Sequence, residues 1–572
     1  MILYPFSSLL SIRRGGFAPP PEKRAAFRRY KLTREETNSI IETIETKGVA
    51  PKEVPVKLNY RRTVLVGFAF FLICLFWQAY DTLIPKILTD KFGMSQTASG
   101  VIMALDNIVA LFMLPLFGAL SDKCRSKMGR RTPFILIGTV VAIALIFPLS
   151  LSDRMQLQNL SDADPADREA QLSEVWDANP AIKDPNGSEK VPLQDLFTTK
   201  EAFTSIPLTD ENGDPSEGQT DYVIPARQAY AKIVTKANPA PLILFMGALI
   251  LLLLSMSVFR SPAVALMPDV TIKPLRSKAN AVINLMGAIG GILTLALGLV
   301  LGTGKPENDL MHYGTFFLIV AALMAVSLAI FLSFVREPRY VREMEEESKR
   351  LGISSEVESE LDEAKREAAK HGGTGALLPL LLILASVVFW YMGYNAVTSK
   401  YSVYAGKILG LDYNLTLLLA QGVTILAFLP IGFLSAKVGR KRMILAGVIM
   451  MTVAFSFCSF LRMNSPALLV NVLFCTAGIG WAAINVNSFP MVVELCSADN
   501  VGKYTGYYYT ASMAAQTLTP ILSGFFMDKI GMTSLFPYAS ICIFCALITM
   551  IFVRRGDNRE VLPPVDKTEE TV

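Results

Sequence analysis

Histidine is almost missing from this chain of 572 residues: His312 and His371 are the only two, and both fall outside the apolar runs. That argues against His-bound metals and Ser-His-Asp relays. Charge is scarce too. Only 18% of residues are charged against 52% hydrophobic, a ratio that no single soluble core of this size can bury. The net charge of +5 is small and spread through short loops, which argues against a nucleic-acid partner and for charge that sets membrane topology. Seven cysteines lie in or beside apolar runs and none in the one long polar segment, so neither a disulfide framework nor a metal spacing is visible. The amino terminus, MILYPFSSLLSIRRGG, puts apolar residues before charged ones, the wrong order for a secretory leader. Residues 17 to 61 are basic and partly helix-patterned, as expected of a cytoplasmic arm, with a start downstream of residue 16 as the alternative.

What is abundant is apolar sequence of membrane length. Windows of about 20 residues recur at roughly 63–85, 97–120, 133–151, 241–268, 278–302, 313–335, 375–400, 413–436, 442–462, 465–494, 503–527 and 532–553. The expectation is an all-α membrane protein with twelve transmembrane helices in two six-helix bundles, over 63–335 and 375–555. An arm (1–62), a charged, helix-like linker (336–374) and a tail (556–572) complete the chain. Basic clusters at Lys123, Arg125, Lys127, Arg130 and Arg131, at Lys273, Arg276 and Lys278, at Lys437, Arg440, Lys441 and Arg442, and at Arg554, Arg555 and Arg559 all fall on one side. Short loops rich in Lys and Arg stay inside, so both termini are expected in the cytoplasm of a plasma (inner) membrane. The acidic stretch 152–240 has no spanning run and is expected outside as a small, partly ordered cap, with turns at 185–187 and 214–216. Its DENGDPSEG lacks the spacing of a calcium loop.

Two related loops organise the chain. Gly118 to Phe134 reads GALSDKCRSKMGRRTPF, and Gly432 to Arg442 reads GFLSAKVGRKR; a motif that recurs once per half marks two related bundles. Asp269 with Glu494, and Lys278 with Lys503, are the next matched pairs. The pattern G-x-x-x-D-[RK]-x-G-[RK]-[RK] resembles the signature loop of the major facilitator superfamily. The longer form G-x-x-S-D-x-C-x-S-x-x-G-R-R-x-P-F resembles the plant sucrose transporters and their animal sugar–proton relatives. The resemblance implies that fold and a sugar–cation symporter working by rocking of the two bundles. The gate motif then falls on Gly118, Asp122, Lys123, Gly129, Arg130 and Arg131, with a second copy at Gly432, Gly439 and Arg440. Asp269 and Glu494, at matching inner depth, are expected to brace the basic residues of the two copies. The sucrose-transporter stretch P-x-R-A-x-x-x-D, whose aspartate is implicated in proton coupling, appears as Pro262 to Asp269 with Val264 where Arg belongs and the basic residue displaced to Arg260. Melibiose-type cation symporters carry D-x-x-x-D-P-x-x-G as a sodium site. Aligning Pro115 and Gly118 puts Ala110 and Leu114 at those carboxylates, so a proton is the better coupling ion than sodium, and no other cofactor is expected.

Ionisable groups inside spans are costly unless they pair or face water, which makes each a functional candidate. Asp81, Asp106, Arg260 and Asp269 form that set for proton coupling. Asp106 sits about ten residues from the outer end of its span, roughly 15 Å deep, and is the leading proton carrier, facing Arg260. For sugar, indole rings stack on ring faces while amides pair with hydroxyls. The candidates are Trp77, Gln78, Tyr80, Asn107, Asn284, Trp390, Asn395, Trp481, Asn485, Asn487 and Gln516. Trp390 and Trp481 lead, being deep in their spans with amides nearby. The run GAIGG at 287–291 reads as close helix packing and not as a phosphate loop. Taken together these residues point to a monomeric, non-enzymatic, proton-coupled symporter of a sugar, such as a sucrose- or maltose-like disaccharide or another glycoside. An exporter of amphipathic small molecules and a non-transporting sugar receptor are the alternatives.

Overall fold

The computed structural model describes residues 58–161, 167–185, 189–209, 216–272, 275–305, 308, 310–350, 377–463, 465–493 and 501–553. The arm, most of the linker with His371, Glu494 and the tail lie outside the described residues. The described chain is dominated by twelve long helices. They are α1 Tyr60–Lys86, α2 Gln96–Lys123, α3 Thr132–Leu160, α4 Ala240–Asp269, α5 Arg276–Leu301, α6 Gly314–Phe334, α7 Leu377–Tyr404, α8 Tyr413–Val438, α9 Arg440–Cys458, α10 Ala467–Val493, α11 Val501–Lys529 and α12 Leu535–Phe552. Ten are long and apolar enough to cross a membrane; α8 carries a shorter apolar run, Tyr413–Phe428, and α11 has the length but opens on Lys503 and a run of tyrosines.

Local chemistry sets the ends. Asn59 accepts from Arg62 N at 3.1 Å to start α1, Ser95 accepts from Ala98 N at 3.2 Å to start α2, and Asp412 accepts from Asn414 N at 2.8 Å to start α8, each satisfying a first-turn N–H. Two helices outrun their apolar windows by the same device: α1 continues into a π turn over Ile87–Lys91 and α7 into one over Ala405–Leu409. Helix α3 also continues past 151 to Leu160, because Asp153 pairs with Lys91 and Gln156 donates to the Lys91 carbonyl at 2.8 Å. The polar insert therefore begins at 161.

The halves pack alike. In the first, α1 lies on α5 and α6, α3 on α4 and α6, and α2 on α4; in the second, α7 lies on α11 and α12, α9 on α10 and α12, and α8 on α10. Each half has its own apolar core, while Phe112, Ile243, Val300, Leu426 and Phe460 point outward, as helices solvated by lipid require. The halves meet where α2 lies on α11, α5 on α8 and α1 on α7; the repeat turns the first of these contacts into the second. Gly100 abuts the Pro520 carbonyl and Gly524 the Gln96 carbonyl, leaving no room for a Cβ at either. One end of the bundle, the basic face, carries the loop around Gly129; the other, the cap face, carries the insert.

The insert folds on itself. It has a helix Arg168–Ala178 that ends on Asn179 at φ +43°, a hairpin of β1 Ala181–Lys183 and β2 Lys190–Pro192, a short helix Lys200–Thr204 and a helix Ile224–Ala237. Leu172, Val175, Ile182, Leu193, Phe203 and Val223 form its own buried cluster. Phe203→Ala removes the central ring and is expected to cost the insert about 3–5 kcal/mol. Limited proteolysis should then cut within 168–222 while the thermal unfolding of the detergent-solubilised bundle stays put; a parallel fall in the bundle's midpoint would contradict an independent insert core.

Candidate functional site

A cavity of about 380 Å³ lies between the halves. Gln78 and Asp81 of α1 and Ala288 of α5 face Tyr394, Asn395 and Thr398 of α7, Gln421 and Thr424 of α8, and Gly478 and Trp481 of α10. The Trp481 ring stacks on Tyr394, centroids 3.7 Å apart and planes within 2°, and meets Tyr391 edge-on at 5.3 Å. Asn395 donates to the Tyr391 carbonyl at 2.8 Å. Gln421 Oε1 is buried without a hydrogen-bond partner among the described residues, an acceptor that a bound hydroxyl would satisfy.

Beside this wall sits the charged group. Arg260 lies over the Trp77 ring at 5.2 Å and within electrostatic reach of both Asp106 and Asp81. The expected Asp106–Arg260 contact is not formed. No ion pair joins Arg260 to a carboxylate among the described residues, and Asp106 instead accepts from Asn107 Nδ2 at 2.7 Å.

Depth within a span is shared by every face of a helix, and only the face toward the other half reaches the cavity. Gln78, Asp81, Asn395 and Trp481 are on that face. Tyr80, about 200° around α1 from Gln78 at 100° per residue, is buried in the first half's core with its hydroxyl on the Ile102 carbonyl at 3.4 Å. Trp390 is wholly buried in the second half's core. Asn487 is buried too and donates to the Ala483 carbonyl at 2.8 Å. These three are not cavity residues. Asn107, Asn284, Asn485 and Gln516 do not line this cavity either; Asn485 reaches back to the Trp481 carbonyl at 3.4 Å, and Asn284 is exposed. Gln421, Thr398 and Thr424 were not anticipated, although Gln421 is legible as a lone amide inside an apolar run.

On the basic face the signature loop is clamped within the first half. Asp269 takes Arg130 at 2.7 Å and Arg131 at 2.8 Å, and Arg131 also holds Asp122 at 2.5 Å and the Ser121 hydroxyl. Burial alone would lower the Arg131 guanidinium, but hydrogen bonds and charge from Asp269 and Asp122 outweigh it and hold the group above its ordinary value. Glu337, opening the linker helix Glu337–Arg350, is 1% exposed. Its carboxylate accepts from the backbone N–H of Arg130 at 2.8 Å, Arg131 at 3.0 Å and Thr132 at 2.8 Å, and from the Thr132 hydroxyl at 2.7 Å. A carboxylate there satisfies the orphan donors at the start of α3 and complements its dipole. Gly129, at φ +110°, abuts that carboxylate. Gly118 packs near Ser261, and Lys123 is exposed. In the second copy Gly439 repeats the backbone with φ +102° just before Arg440 opens α9, while Gly432 faces open space. Glu494 is outside the described residues.

The cap face is where hydrogen bonds and ion pairs between the halves cluster among the described residues. Asp528, at the end of α11, accepts from Gln96 N at 2.8 Å, Thr97 N at 2.7 Å and Thr97 Oγ1 at 2.5 Å, so the start of α2 is capped from the other half. Buried Lys400 donates to the Gln96 carbonyl at 2.7 Å. Lys407 pairs with Asp90 at 2.6 Å, and Thr303 meets Tyr413 at 3.0 Å and Asn414 at 3.1 Å. The fully buried pair Lys91–Asp153 ties α1 to α3 within the first half. The contacts between the halves on the cap face are thus made largely by residues at or just beyond the ends of the apolar runs.

Comparison with known proteins adds the family. The family described as Major Facilitator Superfamily matches residues 230–429 and 413–571, and that described as MFS/sugar transport protein matches 65–155. Proton-associated sugar transporter A of Rattus norvegicus and of Homo sapiens are each 28% identical over 142 residues, which is 25% of this chain and 18% of the relative. A sucrose transport protein of Arabidopsis thaliana is 45% identical over 65 residues, 11% of each chain. The chain thus aligns with under a fifth of the length of these curated relatives. Among solved structures, the inward-open xylose transporter from E. coli superposes with a TM-score of 0.51 at 13% identity, covering 87% of this chain and 97% of that one. A POT family transporter in complex with 5-aminolevulinic acid gives 0.53 at 10% identity, covering 86% and 95%. At these identities the likeness is one of fold.

Glu337→Gln keeps the size of the side chain and removes the charge from four hydrogen bonds. The buried site is expected to lose about 1–3 kcal/mol, read as a lower thermal midpoint in detergent. An unchanged midpoint would show that the loop–linker clamp contributes nothing to the first half.

Proposed function

The chain belongs to the Major Facilitator Superfamily, and from that premise we propose that it is a secondary sugar carrier driven by protons, closing its two faces alternately around the central cavity. The observation that carries the reading is the composition of the cavity wall: a stacked aromatic platform, Tyr394 on Trp481, with the amides Asn395 and Gln421 of the same half, facing the amide Gln78 and the carboxylate Asp81. Aromatic faces bind the apolar C–H face of a sugar ring, and amides and carboxylates bind its hydroxyls. A neutral polyol suits a site whose two carboxylates, Asp81 and Asp106, already outnumber its one guanidinium, Arg260. The finer reading is a disaccharide of the sucrose or maltose type, and the likeness to a sucrose transport protein of Arabidopsis thaliana supports the first of these.

Coupling follows from charge. An ionised Asp81 only accepts hydrogen bonds; a protonated one also donates, and changes the pull on Arg260. Two carboxylates that share a guanidinium titrate as a set, so the proton belongs to Asp81, Asp106 and Arg260 together, with Asp81 as the member at the cavity. Asp269, held by two arginines, is a structural brace in this reading and not the proton carrier. The basic face is cytoplasmic, with both termini on that side of a plasma membrane, by the excess of Lys and Arg in its loops. The carrier works as a monomer, with a site built within one chain.

In proteoliposomes with an inward proton gradient, labelled sugar should accumulate uphill, and collapse of the gradient should abolish the accumulation. Asp81→Asn should lose accumulation while keeping sugar exchange at equal pH. Trp481→Ala should weaken sugar binding roughly 5- to 30-fold, for about 1–2 kcal/mol of lost stacking and contact. Uphill accumulation by Asp81→Asn, with its loss in Asp106→Asn, would move the carrier role to Asp106. Gradient-driven extrusion of amphipathic dyes without sugar uptake would replace the sugar reading with an exporter.

A further inference from the structure

The insert does not merely decorate the cap face, because its last turns are built into the contact between the halves. The helix Ile224–Ala237 is fixed to the first half. Gln228 donates to the Met94 carbonyl at 2.9 Å, and Thr235 receives Gln156 of α3 at 3.0 Å. Gly93, at φ +63°, lets the chain pass directly against the backbone of Gln228 and Lys232. Ahead of it, Gln219 is held by Arg168 at 2.7 Å, so this anchor is tied to the insert's own core.

The same segment reaches across to the second half. The Asp90–Lys407 bridge joins the end of α1 to the end of α7, and both residues share a small polar space with Gln219, Arg227 and Gln228 of the insert. Asp90 Oδ2 is buried there without a hydrogen-bond partner among the described residues. Thr220 Oγ1 touches Met463 Sδ at 3.4 Å, in the loop between α9 and α10. A body anchored to one half thus covers an ion pair between the halves and meets the other half directly.

We propose that the insert is a lid over the cap-face gate: it rides with the first half, shields the Asp90–Lys407 bridge and must part from Met463 whenever the cap face opens. Shielding matters because a bridge kept from water is screened far less than an exposed one. The lid therefore biases the carrier toward the state closed on the cap face. This inference rests on the alternating-closure reading, and its test must register opening whether or not sugar is the cargo.

Two measurements decide it, both in a background with the native cysteines replaced. In Thr220→Cys/Met463→Cys, oxidation should form a cross-link, cut the modification rate of a Thr398→Cys reporter by an impermeant thiol reagent from the cap side, and stop turnover until a reductant is added. Failure of the cross-link to form, or a cross-linked protein with unchanged reporter rate, overturns the lid. Replacing 168–223 by a short Gly-Ser linker, which removes Gln219 and the Thr220 contact to Met463 but keeps the Ile224–Ala237 helix, should raise the reporter rate several-fold; an unchanged rate also overturns it. Should the shortened chain fail to fold, the cross-linked pair still decides. A reporter that responds as expected in a protein that moves no sugar retains the lid and rejects the sugar reading.

Discussion

The arrangement depends on a helix start that is capped from both halves: Ser95 accepts from Ala98 N, and the two N–H groups before it are taken by the other half. Helix α2 begins at Gln96, and Asp528, from the far end of α11, accepts its first N–H groups along with the Thr97 hydroxyl. Separating the halves on the cap face would take Asp528 from Gln96 N, Thr97 N and the Thr97 hydroxyl at once, leaving Ser95 on Ala98 N as the remaining cap. Lys400 on the Gln96 carbonyl and Gly100 and Gly524 at the points of closest approach belong to the same junction. The basic face is built differently. Its strongest contacts, Asp269 with Arg130 and Arg131 and Glu337 on the start of α3, all lie within the first half and its linker helix. They tie that half together internally, whereas the hydrogen bonds and ion pairs between the halves, among the described residues, lie on the cap face.

Much of this was legible in the chain. Membrane-length apolar runs, the charge bias of short loops and the loop repeated near Gly129 and Gly439 dictate twelve helices in two related halves, and the two glycines indeed share a left-sided backbone, φ +110° and +102°. The site was legible only in part. Gln78, Asp81, Asn395 and Trp481 line the cavity, but Tyr80, Trp390 and Asn487 are buried elsewhere, since apolar helices give a weak signal for which face meets the other half. Charged residues at span ends, read as boundaries, were the larger omission. Asp90, Lys400, Lys407 and Asp528 make the cap-face contacts between the halves and Lys91–Asp153 ties α1 to α3; Asp90, Lys91 and Lys407 are there because the π turns after α1 and α7 extend those helices beyond their apolar windows. Glu337 was hidden for a related reason: it opens a charged linker and acts on a loop some 200 positions earlier.

Cavity and seal are coupled by geometry. Asn395 and Thr398 in the cavity wall and Lys400 and Lys407 in the seal share α7 and its π turn, as Gln78 and Asp81 share α1 with Asp90 and Lys91. In the proposed carrier, a change of charge at Asp81 or of contacts at Asn395 would act on helices whose ends join the halves on the cap face. For that proposal the two shared helices offer a route from occupancy to gating that needs no longer chain of contacts.

The most direct test is the distance between the halves on the cap face when the cross-half helix cap is removed. Spin labels on the exposed ends of α2 and α11, measured by pulsed dipolar spectroscopy in lipid nanodiscs, should give one short distance in the native chain. With Asp528→Asn, which leaves the side chain in place but makes it a poorer acceptor, a second and longer distance should appear and grow at the expense of the first. An unchanged single distance would contradict the account, because the cap face would then be held shut by something other than the carboxylate on the start of α2.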